Sequence, residues 1–228
     1  MFASMLSFGF LLGVRHALEA DHVAAVAALA TRTRSRTGLV RLAAGWGMGH
    51  TLTILAVGAL VITVGVSLPS TSEQTLDRVV GAVLVLLGAD VLRRALARRM
   101  HVHAHEHDDG GRHLHLHFHD AAPEARAARH EHEHAHRGLG RALAMGSLHG
   151  LAGSAALLLL VLPNAGDGLQ ALACLAVFGL GSIAGMLLFS LAIAFPLQLA
   201  MRSASAMAGL EGVLGTATIL VGVRILAA

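Results

Sequence analysis

The chain reads as an all-α integral membrane protein: six transmembrane helices in two inverted three-helix repeats, with a long histidine-rich loop between them. Three observations predict this. Apolar runs of about the twenty helical residues needed to cross a hydrocarbon core recur along the chain. Arginine gathers in alternate connections between those runs. The last three runs also echo the first three in order. Composition agrees, since 55% of the 228 residues are hydrophobic and 14% charged, against roughly 25% charged in soluble domains. With one Trp and no Tyr, an aromatic belt contributes little, and the assignment rests on Ala, Leu, Val and Gly.

The first run, Phe2–Leu29, has no basic start and no small-residue cleavage site, so it reads as a span and not a removable signal. Leu42–Val66 and Leu76–Leu96 follow, then Ala142–Leu162, Leu169–Leu199 and Ala206–Leu226. The first and fifth runs exceed one straight perpendicular span, which predicts a tilt or break. Pro196 predicts that the fifth ends or kinks there, and Pro163 that the fourth stops just before it. The chain thus divides into a membrane repeat at 1–97, a loop at 98–140 and a second repeat at 141–228.

Orientation follows from arginine. Arg32, Arg34 and Arg36 lie after the first run, Arg93 through Arg141 between the third and fourth, and Arg202 after the fifth. The other side carries little beyond Arg78 and Arg224. The positive-inside rule then places the chain in the plasma membrane with both termini outside and the histidine loop in the cytoplasm. No basic stripe with interleaved aromatics suggests nucleic acid. Cys174, the single cysteine, excludes a disulfide within the chain.

The repeat is visible without gaps where Leu76–Leu92 aligns on Leu210–Leu226. At the same offset Gly45-Trp46-Gly47 falls on Gly179-Leu180-Gly181, and after a one-residue slip Gly13–Leu18 falls on Gly146–Leu151. Three spans per repeat make the second copy enter from the opposite face, and transporters of that design hold their site near the midplane.

Three short stretches set histidine and acid into apolar sequence: Arg15-His16-Ala17-Leu18-Glu19-Ala20-Asp21-His22, Gly47-Met48-Gly49-His50 and Gly146-Ser147-Leu148-His149-Gly150. Ionisable groups at membrane depth are costly without partners and mark ion pathways. Imidazole and carboxylate together suit a divalent transition metal. On a regular helix His16, Glu19 and His22 fan across one face while Asp21 points away. Either the helix unwinds around Ala17–Ala20, or Asp21 acts from outside the ligand shell or on a neighbouring helix. The metal ligands read from the chain are His16, Asp21, His22, His50 and His149, with Glu19 as a further candidate. Glu19 could instead pair with Arg15 four residues earlier. Met48 offers a thioether but reads as packing. At the positions matching Asp21 and His22 the second half has Ser154 and Ala155, so the first half supplies most ligands.

The loop holds His101, His103, His105 and His107, then His113, His115, His117 and His119, then His130, His132, His134 and His136. Such alternating tracts read as metal-binding, here for buffering, sensing or handing over ions. A segment with no core to bury is expected to be disordered without metal.

The His16-x4-Asp21-His22 element and Gly-Met-Gly-His50-Thr resemble the two histidine motifs of the nickel/cobalt transporter (NiCoT) superfamily. The six-span layout and His149-Gly-Leu-Ala-Gly-Ser are more similar to its urease-accessory, UreH-type branch. The histidine-rich middle loop also resembles that of six-span nickel/cobalt efflux proteins. The resemblance implies transport of Ni²⁺ or Co²⁺, with His16, Asp21, His22 and His50 essential. It implies no prosthetic group and no enzyme; the metal is cargo. Besides the lipid bilayer, it implies a cytoplasmic metallochaperone or urease and hydrogenase maturation proteins as partners. Glu19 stands where the importers have aspartate, and six spans stand in place of their eight. Uptake is favoured, with efflux and a membrane-tethered metal store or sensor as the competing readings.

Overall fold

The computed structural model describes residues 2–33, 35–65, 70–106, 112–118, 135–161 and 167–228. Its elements run α1 (Phe2–His16), α2 (Ala20–Ala30), α3 (Arg36–Val64), α4 (Ser70–Arg99), β1 (Met100–Glu106), β2 (Arg112–Phe118), α5 (Ala135–Val161), α6 (Gly168–Ala200) and α7 (Ala204–Ala227). The chain is a multi-pass membrane protein. By length and apolar composition α3, α6 and α7 can each cross a bilayer.

Local chemistry sets the helix ends. The Ser35 hydroxyl accepts from the Gly38 amide at 2.9 Å and starts α3. The Asp167 carboxylate does the same for α6, from Gln170 at 2.8 Å. These are standard N-caps, which satisfy amides that the first helical turn leaves free. Gly65 closes α3 with φ 69°, in the left-handed region that glycine enters without penalty.

The first apolar run is cut in two. Leu18 N–H donates to Arg15 O and Glu19 N–H to His16 O, a tightening that ends α1, before Val23 N–H to Glu19 O resumes the helical pattern in α2. Of the alternatives left open by the sequence, unwinding around Ala17–Ala20 is the one present.

The helices pair as α4 on α7, α3 on α5, α1 on α6 and α3 on α6. In lipid, helix association rests on close packing, which small residues permit. Added methyl groups at Gly81 and Gly88 would strike the carbonyls of Gly222 and Gly215, and the reverse holds at Gly215 and Gly222. Gly49 lies on the Leu143 carbonyl and Gly181 on that of Phe10; Gly146 meets Trp46 O, and Gly13 meets Phe178 O. Ser182 Oγ donates to Gly13 O at 3.2 Å and Thr51 Oγ1 to Gly179 O at 3.2 Å. Thr218 Oγ1 donates to Ala24 O at 3.3 Å, tying α7 to α2.

At the arginine-rich end Asp90 of α4 accepts from Arg32 at 2.8 Å, Arg93 at 2.9 Å and Arg94 at 3.1 Å. Arg94 also donates to Thr31 Oγ1 at 3.0 Å and lies 3.8 Å from the buried Glu211 carboxylate. This network joins the end of α2 to α4 and α7.

Three expectations change. Pro196 sits inside α6, which runs on to Ala200 rather than ending there; a helix can lose one amide donor where neighbouring helices support it. Pro163 lies outside the described residues, and α5 is described to Val161. Helix also reaches further into the middle segment than expected, to Arg99 and from Ala135. Finally, the middle segment is not wholly without structure, since β1 and β2 pair antiparallel there. His101 stands opposite His117, His103 opposite His115 and His105 opposite His113. Period-two alternation favours an extended backbone, which a hairpin satisfies.

Candidate metal site

The break between α1 and α2 is what brings the ionisable residues together. His16 ends α1, Asp21 and His22 open α2, His50 sits midway along α3 and His149 midway along α5. The last four would be stranded in apolar surroundings singly, yet His22 is 1%, His50 0% and His149 3% exposed.

Two groups of donors form, sharing one residue. One ligand atom each from His16, His22 and His50 lies within 4.8 Å of the others, and the same holds for Asp21, His22 and His149. Ring centroids stand 4.5 Å apart for His16–His22, 5.2 Å for His22–His50, 5.3 Å for His16–His50 and 4.8 Å for His22–His149. The separate helices thus deliver four imidazoles to one place.

Asp21 does not point away. With the backbone unwound before it, one carboxylate oxygen accepts from His22 Nδ1 at 3.1 Å and the other lies 3.4 Å from His149 Nε2. A carboxylate on one ring nitrogen fixes an imidazole's tautomer and turns the other nitrogen toward a metal. His22 Nε2 and both His50 nitrogens are buried with no hydrogen-bond partner among the described residues. Buried polar nitrogens are normally satisfied, so unsatisfied ones gathered at a single point need a reason. A bound cation would supply it, because neutral imidazole nitrogen is a metal ligand.

Glu19 takes a different place. Its carboxylate accepts from His16 Nδ1 at 2.9 Å and is 54% exposed, so it holds His16 from outside the donor group instead of pairing with Arg15. Met48 is 50% exposed and faces away from the imidazoles' enclosure. The loop histidines are not brought to this site by any described contact. His101, His103, His105, His113, His117 and His115 lie on the hairpin strands and His136 in the first turn of α5. His107, His119, His130, His132 and His134 lie outside the described residues.

Two aromatic residues escape a motif-based reading. Phe178 of α6 lies against His16 with centroids 5.4 Å apart, and Trp46 of α3 against His149 at 5.0 Å. Each is buried, and each abuts the glycine at which α1 or α5 crosses its partner, Gly13 or Gly146. The one hint in the sequence is that both stand beside a glycine in a small-residue run.

Comparison with known proteins bears on the same residues. The family described as cytochrome C biogenesis protein transmembrane region matches the chain over residues 5–224. The urease accessory protein UreH of Bacillus sp. (strain TB-90) is 28% identical over 199 residues, covering 87% of this chain and 80% of that protein. This agrees with the UreH-type resemblance read from the histidine motifs, and neither name is that of an enzyme. No solved structure matches.

Proposed function

We propose that this chain, which belongs to the cytochrome C biogenesis protein transmembrane region family, is a permease that carries Ni²⁺, with Co²⁺ as the second candidate, into the cytoplasm. The observation that carries the reading is the meeting of His16, His22 and His50 from α1, α2 and α3 in a buried spot where their donor atoms lie within 4.8 Å. Histidine nitrogen and carboxylate oxygen suit a first-row divalent ion. The similarity to a urease accessory protein supports nickel as cargo, delivered to maturation proteins of a nickel enzyme. Cys174 is the only thiol in the chain, so its membrane part offers metal ligation and not dithiol exchange.

The inverted repeat belongs to the proposal. Exchanging α1–α2 with α5, α3 with α6 and α4 with α7 turns each main helix pairing into another that is present. The α4–α7 glycine contacts are reciprocal in the same sense. Close approach also adjusts the sequence alignment: Gly49, not Gly47, packs as Gly181 does. On that register Phe178 corresponds to Trp46, and Ser182 to His50. Rocking the two repeats about the site would open it to either side in turn. The arginine-rich ends face the cytoplasm, and on that side Asp90, Arg94 and Glu211 form an ion-pair network.

Cells expressing the chain should accumulate radiolabelled nickel above the empty-vector level, and the His16→Ala variant should not. Depletion of nickel would reverse the direction to efflux. A store or sensor working through the loop would lose all metal handling when residues 101–136 are deleted, whereas a permease keeps flux.

A further inference from the structure

We infer that the buried cluster holds two ion positions sharing His22, not one position with five ligands, and that the ion passes between them on its way through the membrane. This rests on the permease reading above. The first position is formed by His16, His22 and His50, and the second by Asp21, His22 and His149. No described group of donors joins all five residues.

The geometry of the second position is already close to that of a metal shell. Two donors each about 2.0–2.1 Å from one ion stand about 2.9–3.4 Å apart. Asp21 lies 3.1 Å from His22 Nδ1 and 3.4 Å from His149 Nε2. The two positions differ in chemistry, the first offering three imidazoles and the second a carboxylate with two. A neutral imidazole has one lone pair to give, so His22 serves one position at a time: to ligate at the second, the proton that Nδ1 now donates to Asp21 moves to Nε2, and the cluster holds one ion in either place.

The positions are stacked along the path. Trp46 lies one helical turn nearer the arginine-rich start of α3 than His50 does, and His149 packs against Trp46. His16 packs against Phe178, on the half of α6 remote from its arginine-rich end. The ion thus meets His16, His22 and His50 first, under Phe178. It leaves from Asp21, His22 and His149, over Trp46. His22 borders both positions, so the ion steps from one to the other within the buried cluster.

The chain has a built-in reporter of the second position, because Trp46 is its sole tryptophan and it has no tyrosine. Ni²⁺, with a partly filled d shell, quenches indole emission at short range; Zn²⁺ does not. Full-length protein titrated with Ni²⁺ alone should show a saturable loss of Trp46 emission, suppressed by prior loading with Zn²⁺. His149→Ala and Asp21→Asn should each raise the midpoint about 10–100-fold, while His16→Ala should leave it within a few-fold. Thermal unfolding of each variant checks its fold, and Asp21→Asn against His16→Ala decides the matter if His149→Ala does not fold.

Equal midpoint shifts in His16→Ala and Asp21→Asn would overturn the proposal in favour of a single shared site. Unchanged quenching in folded His149→Ala, or none in the wild type, would overturn the second position itself. Nickel flux measured on the same preparations separates the two readings. Flux with equal shifts removes the second position and keeps the permease; correct quenching without flux does the opposite.

Discussion

The two halves of the molecule each set histidine into a buried helical segment, and the two segments differ in form. In the first half α1 stops at His16 and α2 restarts at Ala20; in the second α5 runs from Ala135 to Val161 through His149 without interruption. The broken segment carries three of the five proposed ligands, the continuous helix one. The difference teaches that histidine content alone does not make a site. On a regular helix successive residues turn by about 100°, so Asp21 and His22 could not face both His16 and His149. Unwinding Ala17–Glu19 frees them to do so. Irregular backbone at membrane depth is tolerated where it is buried in protein or lines a cavity, and here it faces buried imidazoles.

If the broken segment carries the function, its residues should rank by how many donor groups they join. His22 belongs to both, so His22→Ala should have the largest effect, raising the nickel concentration for half-maximal uptake by more than about 100-fold. A milder phenotype than that of His149→Ala would break the comparison. Asp21→Asn keeps the volume and loses the charge, and should cost about 10–100-fold in the same assay. Acidification sharpens the point, since a protonated imidazole has no lone pair for a metal. Uptake affinity should therefore fall as pH drops from about 7.5 to about 5.5, through the range in which histidine takes up a proton. Affinity that rises in acid would contradict imidazole ligation. Smallest of all is Glu19→Gln. An exposed pair contributes about 0–1 kcal/mol, so half-saturation should move by no more than about fivefold, and a larger loss would promote Glu19 to a ligand.

Much of this arrangement was legible in the residues themselves. Apolar run length located α3, α6 and α7, each able to cross a membrane, and the misfit of His16, Glu19, Asp21 and His22 to one regular helix left a break at Ala17–Ala20 as one of the readings. What could not be read was anything decided between helices. Asp21 reaches His149 across the α2–α5 gap, and a periodicity on one helix carries no information about its neighbour. Trp46 and Phe178 gain their places beside the imidazoles from glycine contacts at Gly146 and Gly13, which fix helix depth more finely than Gly, Val and Leu matches can. Pro196 is absorbed into α6 because surrounding structure outweighs one missing donor. The middle segment's hairpin arises from alternation that composition alone reads as disorder.

Nickel flux into vesicles reconstituted with the full-length chain or its His22→Ala variant tests convergence most directly. Saturable uptake by the wild type, with the variant at the level of protein-free vesicles, is the predicted result. Equal flux through both would mean that the imidazoles gathered at the helix break do not carry the ion.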